Sequence, residues 1–220
     1  MADIIPGIGI GEKDFTGIEQ KVKLVAPYVG WVQIDFADGT FVPTKTSWEV
    51  EKFAALIKSF TGNEHKLSFE AHLMVASPEK YLKQLADAGF RRLIAQVEAN
   101  DPRLFLEEAQ FESVEAGLAL DGTTELEVLE PFLEDIDCAL IMGGEAGLAD
   151  DIFQPENIEK VKALHGQLPD LPIEVEEGIN RETAKILTEV GVTRLVATSY
   201  LFKNTDSTNI AAAIEGFKEV

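Results

Sequence analysis

Strand-like and helix-like segments alternate along nearly the whole chain, and few folds accept that pattern. Residues 4–10 are a short apolar run broken by Pro6, Gly7 and Gly9. Residues 15–28 carry Ile18, Val22, Leu24 and Val25 as a helical stripe. Residues 31–37 read as a strand, and 48–60 as a helix capped by Ser47 with Glu49 and Glu51 in its first turn. A strand over 66–75 is followed by Ser77-Pro78, which opens a helix that stops at Gly89. Residues 93–97 are a strand, and Asp101-Pro102 starts the next helix. A strand over 116–120 precedes a helix to Glu134 capped by Thr123 or Thr124. Residues 139–142 are a strand and 155–167 a helix. A strand over 172–175 runs into Glu176-Glu177-Gly178. Asn180 caps a helix over 181–190 that stops at Gly191. Residues 194–197 form the last strand, and a helix over 208–220 closes the chain. Strands rich in Val, Ile, Leu and Ala between amphipathic helices indicate a parallel sheet. Eight such units in this length predict a single (β/α)8 TIM barrel domain. The alternative, an open doubly wound sheet, lacks the GxGxxG expected after its first strand.

The totals narrow the function. The chain has 220 residues, 45% of them hydrophobic, which is enough for one sizeable core. Its formal net charge of −20 repels nucleic acid and anionic membrane, so neither is an expected partner. The same field repels a phosphorylated substrate at long range. Cys138 is the sole cysteine, which excludes an internal disulfide and a Cys-rich zinc site; it lies in an apolar run and reads as core. The first ten residues lack the basic region and apolar length of a signal peptide. No apolar run approaches the roughly 18 residues of a membrane span. A cytoplasmic protein is expected.

In a barrel of this kind the site lies where the strands end. The polar residues predicted there are Gln33, Asp35 and Asp38, then Glu70 and His72, then Gln96 and Glu98, then Asp121. Glu145, Asp150 and Asp151 follow the sixth strand, Glu176 and Glu177 the seventh, and Thr198 and Ser199 the eighth. Gln33 and Asp35 alternate with Val32, Ile34 and Phe36, so both face the opposite side from that apolar set. Burying them is costly unless they find a partner. One imidazole among oxygen donors suits a divalent metal such as Zn, Mn or Fe. Paired carboxylates also suit removal and return of a proton beside a carbonyl. A hydrogen-bonded or salt-bridged core role is the competing reading. His65 and His165 read as surface residues.

These stretches resemble the ribulose-phosphate 3-epimerase family. Residues 34–43, IDFADGTFVP, are similar to its IDxMDGxFVP signature without the methionine. Residues 71–75 resemble its HLMV segment, 117–120 with Thr123 its GVALNPxT, and 174–180 its EVDGGIN. The competing hexulose-phosphate synthases and orotidylate-type decarboxylases need a lysine in a DxKxxD run, which Asp35-Phe36-Ala37-Asp38 lacks. The resemblance implies a ribulose-phosphate-binding barrel and metal-assisted epimerisation at C3 of a ketopentose phosphate. By position, Asp35 matches a metal ligand that doubles as acid/base, and His72 a second ligand. Glu176 stands at the second catalytic aspartate, also a ligand. Met74 and Met142 match methionines near the reacting carbon. A homo-oligomer is expected by analogy with the family.

The departures cluster at the site. Gln33 replaces a metal-binding histidine, and a harder, weaker amide ligand lowers zinc affinity or abolishes it. Glu176 is one methylene longer than aspartate. Gly7 replaces a serine, and Gln96 a histidine. The phosphate loop NPGFGGQ reads as residues 145–151, keeping Gly147; the seventh-strand glycine pair keeps Gly178 but has Glu177 first. Glycine-rich turns cradle phosphate because nothing blocks their backbone N–H groups, so Glu177 argues against tight phosphate binding. Thr198, Ser199 and the helix start at Asn180 remain as anion donors. Two readings stay open. One is an epimerase-like isomerase with altered metal and phosphate sites, acting on a sugar or sugar phosphate. The other is a catalytically impaired barrel that serves in binding or assembly.

Overall fold

The computed structural model describes residues 2–61, 66–147, 152–202 and 209–217. Its elements in chain order are β1 (Asp3–Ile8), α1 (Phe15–Val25), β2 (Trp31–Ala37), α2 (Val50–Thr61), β3 (Ser68–Met74), α3 (Glu79–Ala88), β4 (Arg92–Gln96), α4 (Pro102–Glu112) and β5 (Glu115–Leu120). Two 3-10 turns, Leu126–Val128 and Glu130–Phe132, lead to β6 (Cys138–Met142). Then come α5 (Asn157–Gln167), β7 (Ile173–Glu176), α6 (Arg181–Glu189), β8 (Arg194–Ala197), α7 (Ser199–Phe202) and α8 (Ile210–Phe217). The strands pair in parallel in sequence order, and β8 pairs back onto β1 to close the barrel. This is the expected (β/α)8 fold.

Period-two alternation in the strands separates two cores. Outward residues such as Val32, Ile34, Phe36, Leu73 and Leu118 pack under the helices. There Phe36 meets Phe53 and Phe90 edge-on, with ring centroids 5.2 and 5.7 Å apart. Each fully buried Phe of this kind contributes about 1.5–3 kcal/mol. Inward residues fill the barrel axis, among them Ile5, Ile94, Cys138, Leu140 and Val196.

The caps are partly as expected. Asp101 accepts from Leu104 N and Gly89 ends α3 at φ 103°, as expected; Asp14, not expected as a cap, accepts from Thr16 N and Gly17 N. Ser47 does not cap α2, which starts later; its hydroxyl donates to Glu49 Oε2. Ser77 does not cap α3 either, and its Oγ accepts from Asn100 Nδ2. The largest difference follows β5, where the two short turns stand in place of the predicted helix. Pro131 lies inside that segment, lacks an N–H and breaks a continuous ladder. Of the predicted closing helix, residues 208 and 218–220 lie outside the described residues.

Candidate active site

Four polar side chains converge inside the barrel from β2, β3 and the end of β7. Gln33 and Asp35 both point inward because they are two residues apart on one strand. Strand pairing sets Asp35 beside His72 and Glu176 beside Met142. Gln33, Asp35 and His72 are at most 1% exposed and Glu176 is 9% exposed. The Gln33 amide nitrogen donates to Asp35 Oδ1 at 2.8 Å and to Glu176 Oε2 at 2.9 Å. His72 Nδ1 lies 3.0 Å from the same Glu176 oxygen. Met74 and Met142 are buried in the adjoining inner core.

Gln96 orients the imidazole. With its amide oxygen facing His72, its nitrogen donates to Ala119 O at 3.1 Å and Glu98 Oε2 at 3.0 Å, and the oxygen accepts from His72 Nε2 at 3.2 Å. That bond keeps a proton on Nε2 and turns Nδ1 toward the two carboxylates, the arrangement in which an outer partner sets the tautomer of a metal-binding histidine. The sequence shows Gln96 as a polar residue at a strand end, standing where the resembled family has a histidine; its role needs the β3–β4 neighbourhood.

The site lacks positive charge. Among the described residues, no Lys or Arg forms a salt bridge to Asp35 or Glu176. Burial, then the Glu176 charge, pushes the Asp35 carboxyl up to about 8, against smaller opposing effects of His72, Gln33 and the Ile10 backbone. Burial alone would lower the His72 pKa; the Glu176 carboxylate outweighs it and raises the value, with help from Asp35 and Glu174. Ligand atoms of Asp35, His72 and Glu176 lie within 4.8 Å of one another. Gln33 Oε1 is buried with no hydrogen-bond partner. Two carboxylates, one oriented imidazole and an orphaned amide oxygen fit a divalent cation. As placed, Gln33 presents its nitrogen to the carboxylates, so its oxygen faces a metal only after the amide turns over.

Other predicted residues serve structure. Asp38 accepts from Thr40, Phe41 and Ala76 backbone N–H groups and so ties down the loop after β2. Asp121 holds Thr123 and Ala146, and Glu98 holds Asp121 N. Glu145 is exposed. Glu70 shares a face with His72 but sits one layer lower, bonded to Arg92. His165 is half-buried against Gly191 rather than at the surface. Asp150, Asp151 and His65 lie outside the described residues.

Of the loop expected to hold phosphate, residues 148–151 lie outside the described residues. Gly147 (φ 78°) rests on the loop after β2, where Thr44 Oγ1 donates to its carbonyl at 3.1 Å. Glu177 and Gly178 follow β7 with φ 79° and 66°. Thr198 fills the space over Gly7: a Cβ on residue 7 would stand 2.6 Å from Thr198 Oγ1. Ser199 opens the four-residue α7. At the start of α6, expected to donate to an anion, Asn180 Oδ1 accepts from Glu182 N and Thr183 N, and Thr183 Oγ1 accepts from Asn180 N.

A model of the ribulose-phosphate 3 epimerase family matches residues 7–202. The chain is similar to ribulose-phosphate 3-epimerase of Schizosaccharomyces pombe, 32% identical with 92% of this chain and 87% of that one covered. It is 30% identical to that of Bacillus subtilis, over 93% of this chain and 95% of the other. Solved structures sharing the fold include KGPDC from Streptococcus mutans, with TM-score 0.74, 16% identity and coverage of 100% of this chain and 96% of that one. A 3-hexulose-6-phosphate synthase has TM-score 0.74 at 14% identity, over 99% of this chain and 98% of that one. With a match over most of its length and relatives near one-third identity, this chain belongs to the ribulose-phosphate 3-epimerase family.

Proposed function

We propose that this protein epimerises a ketopentose or its phosphate at C3, with Asp35 and Glu176 as the acid/base pair. The hydrogen at C3 is acidic because the adjacent C2 carbonyl stabilises the carbanion as an enediolate. Inversion requires that one group remove this proton and another deliver a proton to the opposite face. Asp35, with its pKa pushed up to about 8, holds a proton at neutral pH and supplies the acid. Glu176, which accepts from Gln33 Nε2 and lies 3.0 Å from His72 Nδ1, is the base. After turnover the two have exchanged roles, so the reaction runs in both directions.

Asp35, His72 and Glu176 would hold a divalent metal, with Gln33 Oε1 as the remaining donor. When bound, the cation offsets the negative charge that develops on the enediolate oxygens. Gln96 keeps His72 in the ligating tautomer. Met74 and Met142 wall the site with apolar, polarisable surface that excludes water. The observation that carries this reading is the convergence of Asp35 and Glu176 on one amide nitrogen, beside an oriented imidazole.

The test is exchange of the C3 hydrogen of ribulose 5-phosphate and of ribulose in deuterated water, with Zn, Mn or Fe supplied. Exchange that Asp35→Asn abolishes supports the proposal. The other reading, a barrel that binds without turnover, draws on Gln33, which already satisfies both carboxylates. It predicts no exchange with either sugar.

A further inference from the structure

We infer that Glu177 sets this barrel against phosphate, so that its substrate is an uncharged ketose ending in a hydroxyl at the end remote from the reacting carbon. This rests on the epimerase reading above and names its substrate class. Barrels of this fold commonly grip phosphate with the loops after the seventh and eighth strands and a helix N-terminus. Such a grip needs open backbone N–H groups and no negative side chain among them.

Each part is changed here. Glu177 directly follows β7 and takes a left-handed φ of 79°, a conformation that side chains other than glycine rarely adopt. Its carboxylate folds onto the loop after β6, with Oε2 2.9 Å from where a Cβ on Gly144 would stand. Both carboxylate oxygens are shielded from solvent. A carboxylate seated in this turn puts bulk and an acidic group where a phosphate would need open backbone donors. Gly178 brings this turn against the segment leading to α5, where a Cβ would stand 2.3 Å from Phe153 N. After β8, Thr198 puts a hydroxyl over Gly7. That group can give and accept one hydrogen bond from a sugar hydroxyl but carries no charge to balance a phosphate. At the start of α6, the Glu182 and Thr183 N–H groups are already taken by Asn180.

Two measurements test this. The first is thermal stability of the intact protein, and of Glu177→Gly and Glu177→Gln, against rising inorganic phosphate. The native protein should show no phosphate-dependent rise. Glu177→Gly, which leaves glycine at a φ it tolerates, should gain phosphate affinity by about tenfold or more, and Glu177→Gln, which removes only the charge, by less. The second is the ratio of kcat/KM for ribulose over ribulose 5-phosphate in the exchange assay. It should exceed one in the native protein and fall at least about tenfold in Glu177→Gly. A native protein stabilised by phosphate, a native preference for the phosphate ester, or a Glu177→Gly variant with unchanged phosphate affinity would each overturn the inference. If neither sugar exchanges, the epimerase reading fails, and the phosphate titration still decides the role of Glu177.

Discussion

The barrel interior holds two buried charged layers that neutralise themselves differently. In the lower layer Arg92 Nη1 donates to Glu70 Oε2 at 2.6 Å and Glu174 Oε1 at 3.0 Å, and its other nitrogens reach Glu115. Arg194 adds a second guanidinium to Glu174 at 2.7 Å, and the Arg92 guanidinium stacks 4.4 Å from the Trp31 ring centre. In the upper layer two carboxylates share only an amide and an imidazole. Glu70, Glu174 and Arg92 are as buried as the upper layer, while Glu115 and Arg194 reach solvent. The lower one contains its own cations, although Glu70 Oε1 and Glu174 Oε2 keep no hydrogen bond; the upper one has no Lys or Arg paired to its carboxylates and is the candidate site. Charge balance, more than burial, distinguishes the structural cluster from the candidate site.

The comparison can be broken first from below. Arg92→Leu should cost about 3–5 kcal/mol, because it strands Glu70 in the interior and leaves Glu174 with Arg194 alone. Urea unfolding reads this directly, and an unchanged midpoint would show that the lower layer is not self-contained. Glu70→Met on that background should recover part of the loss, since it removes one stranded charge.

From above, Asp35→Asn should abolish C3 exchange by about a thousandfold, within the range for loss of a general acid or base. Its stability should hold or rise, because it removes a buried carboxyl with no cationic partner. A parallel loss of stability would mean that Asp35 serves the fold as Arg92 does.

Next in size is the linkage among pH, metal and stability. The folded-state pKa of Asp35 is about 8 against an ordinary 3.8, so its contribution is full below 3.8 and lost as pH rises through about 8. His72 is also raised above its ordinary 6.5, so its contribution is present below 6.5 and lost as pH climbs past the folded value. The slopes share a sign: in EDTA the melting temperature should fall between about pH 5 and 8. A divalent metal should reverse that fall, by about 2.7 kcal/mol at a hundredfold excess over Kd. A metal-free protein whose stability is flat across this window would remove the contrast between the layers.

The smallest effect is expected at the rim. Glu177→Gly should raise stability by about 0.5–1 kcal/mol by relieving the left-handed residue. A drop in the urea midpoint would mean that the Glu177 side chain contributes more packing than its backbone costs.

Much of this was legible in one dimension. The eight strands, their inward and outward faces, and the grouping of Asp35, His72 and Glu176 follow from alternation and motif order. Local chemistry misled where a competing contact won. Ser47 and Ser77 have the side chains of caps but bond to Glu49 and Asn100 instead. Leu126, Leu129 and Leu133 keep helical spacing after β5, yet Pro131 leaves only short turns. Glu70 and His72 share one face, as their spacing of two requires. One step of two residues moves a side chain about 6.6 Å along a strand, however, and that separates the two layers.

From sequence alone came the period-two and helical patterns, and with them the (β/α)8 fold, because hydrophobic spacing reports which faces must be buried. It also brought out the residue types that could hold a proton or a metal. Only the tertiary structure decided which charges meet. Arg92 and Glu174 belong to strands far apart in the chain, and nothing local announces their pairing. Gln33 donates across 143 positions to Glu176, and Asn180 takes two of the backbone donors at the start of α6. Electrostatic partnership depends on distances across the barrel, and those are set by strand register and closure.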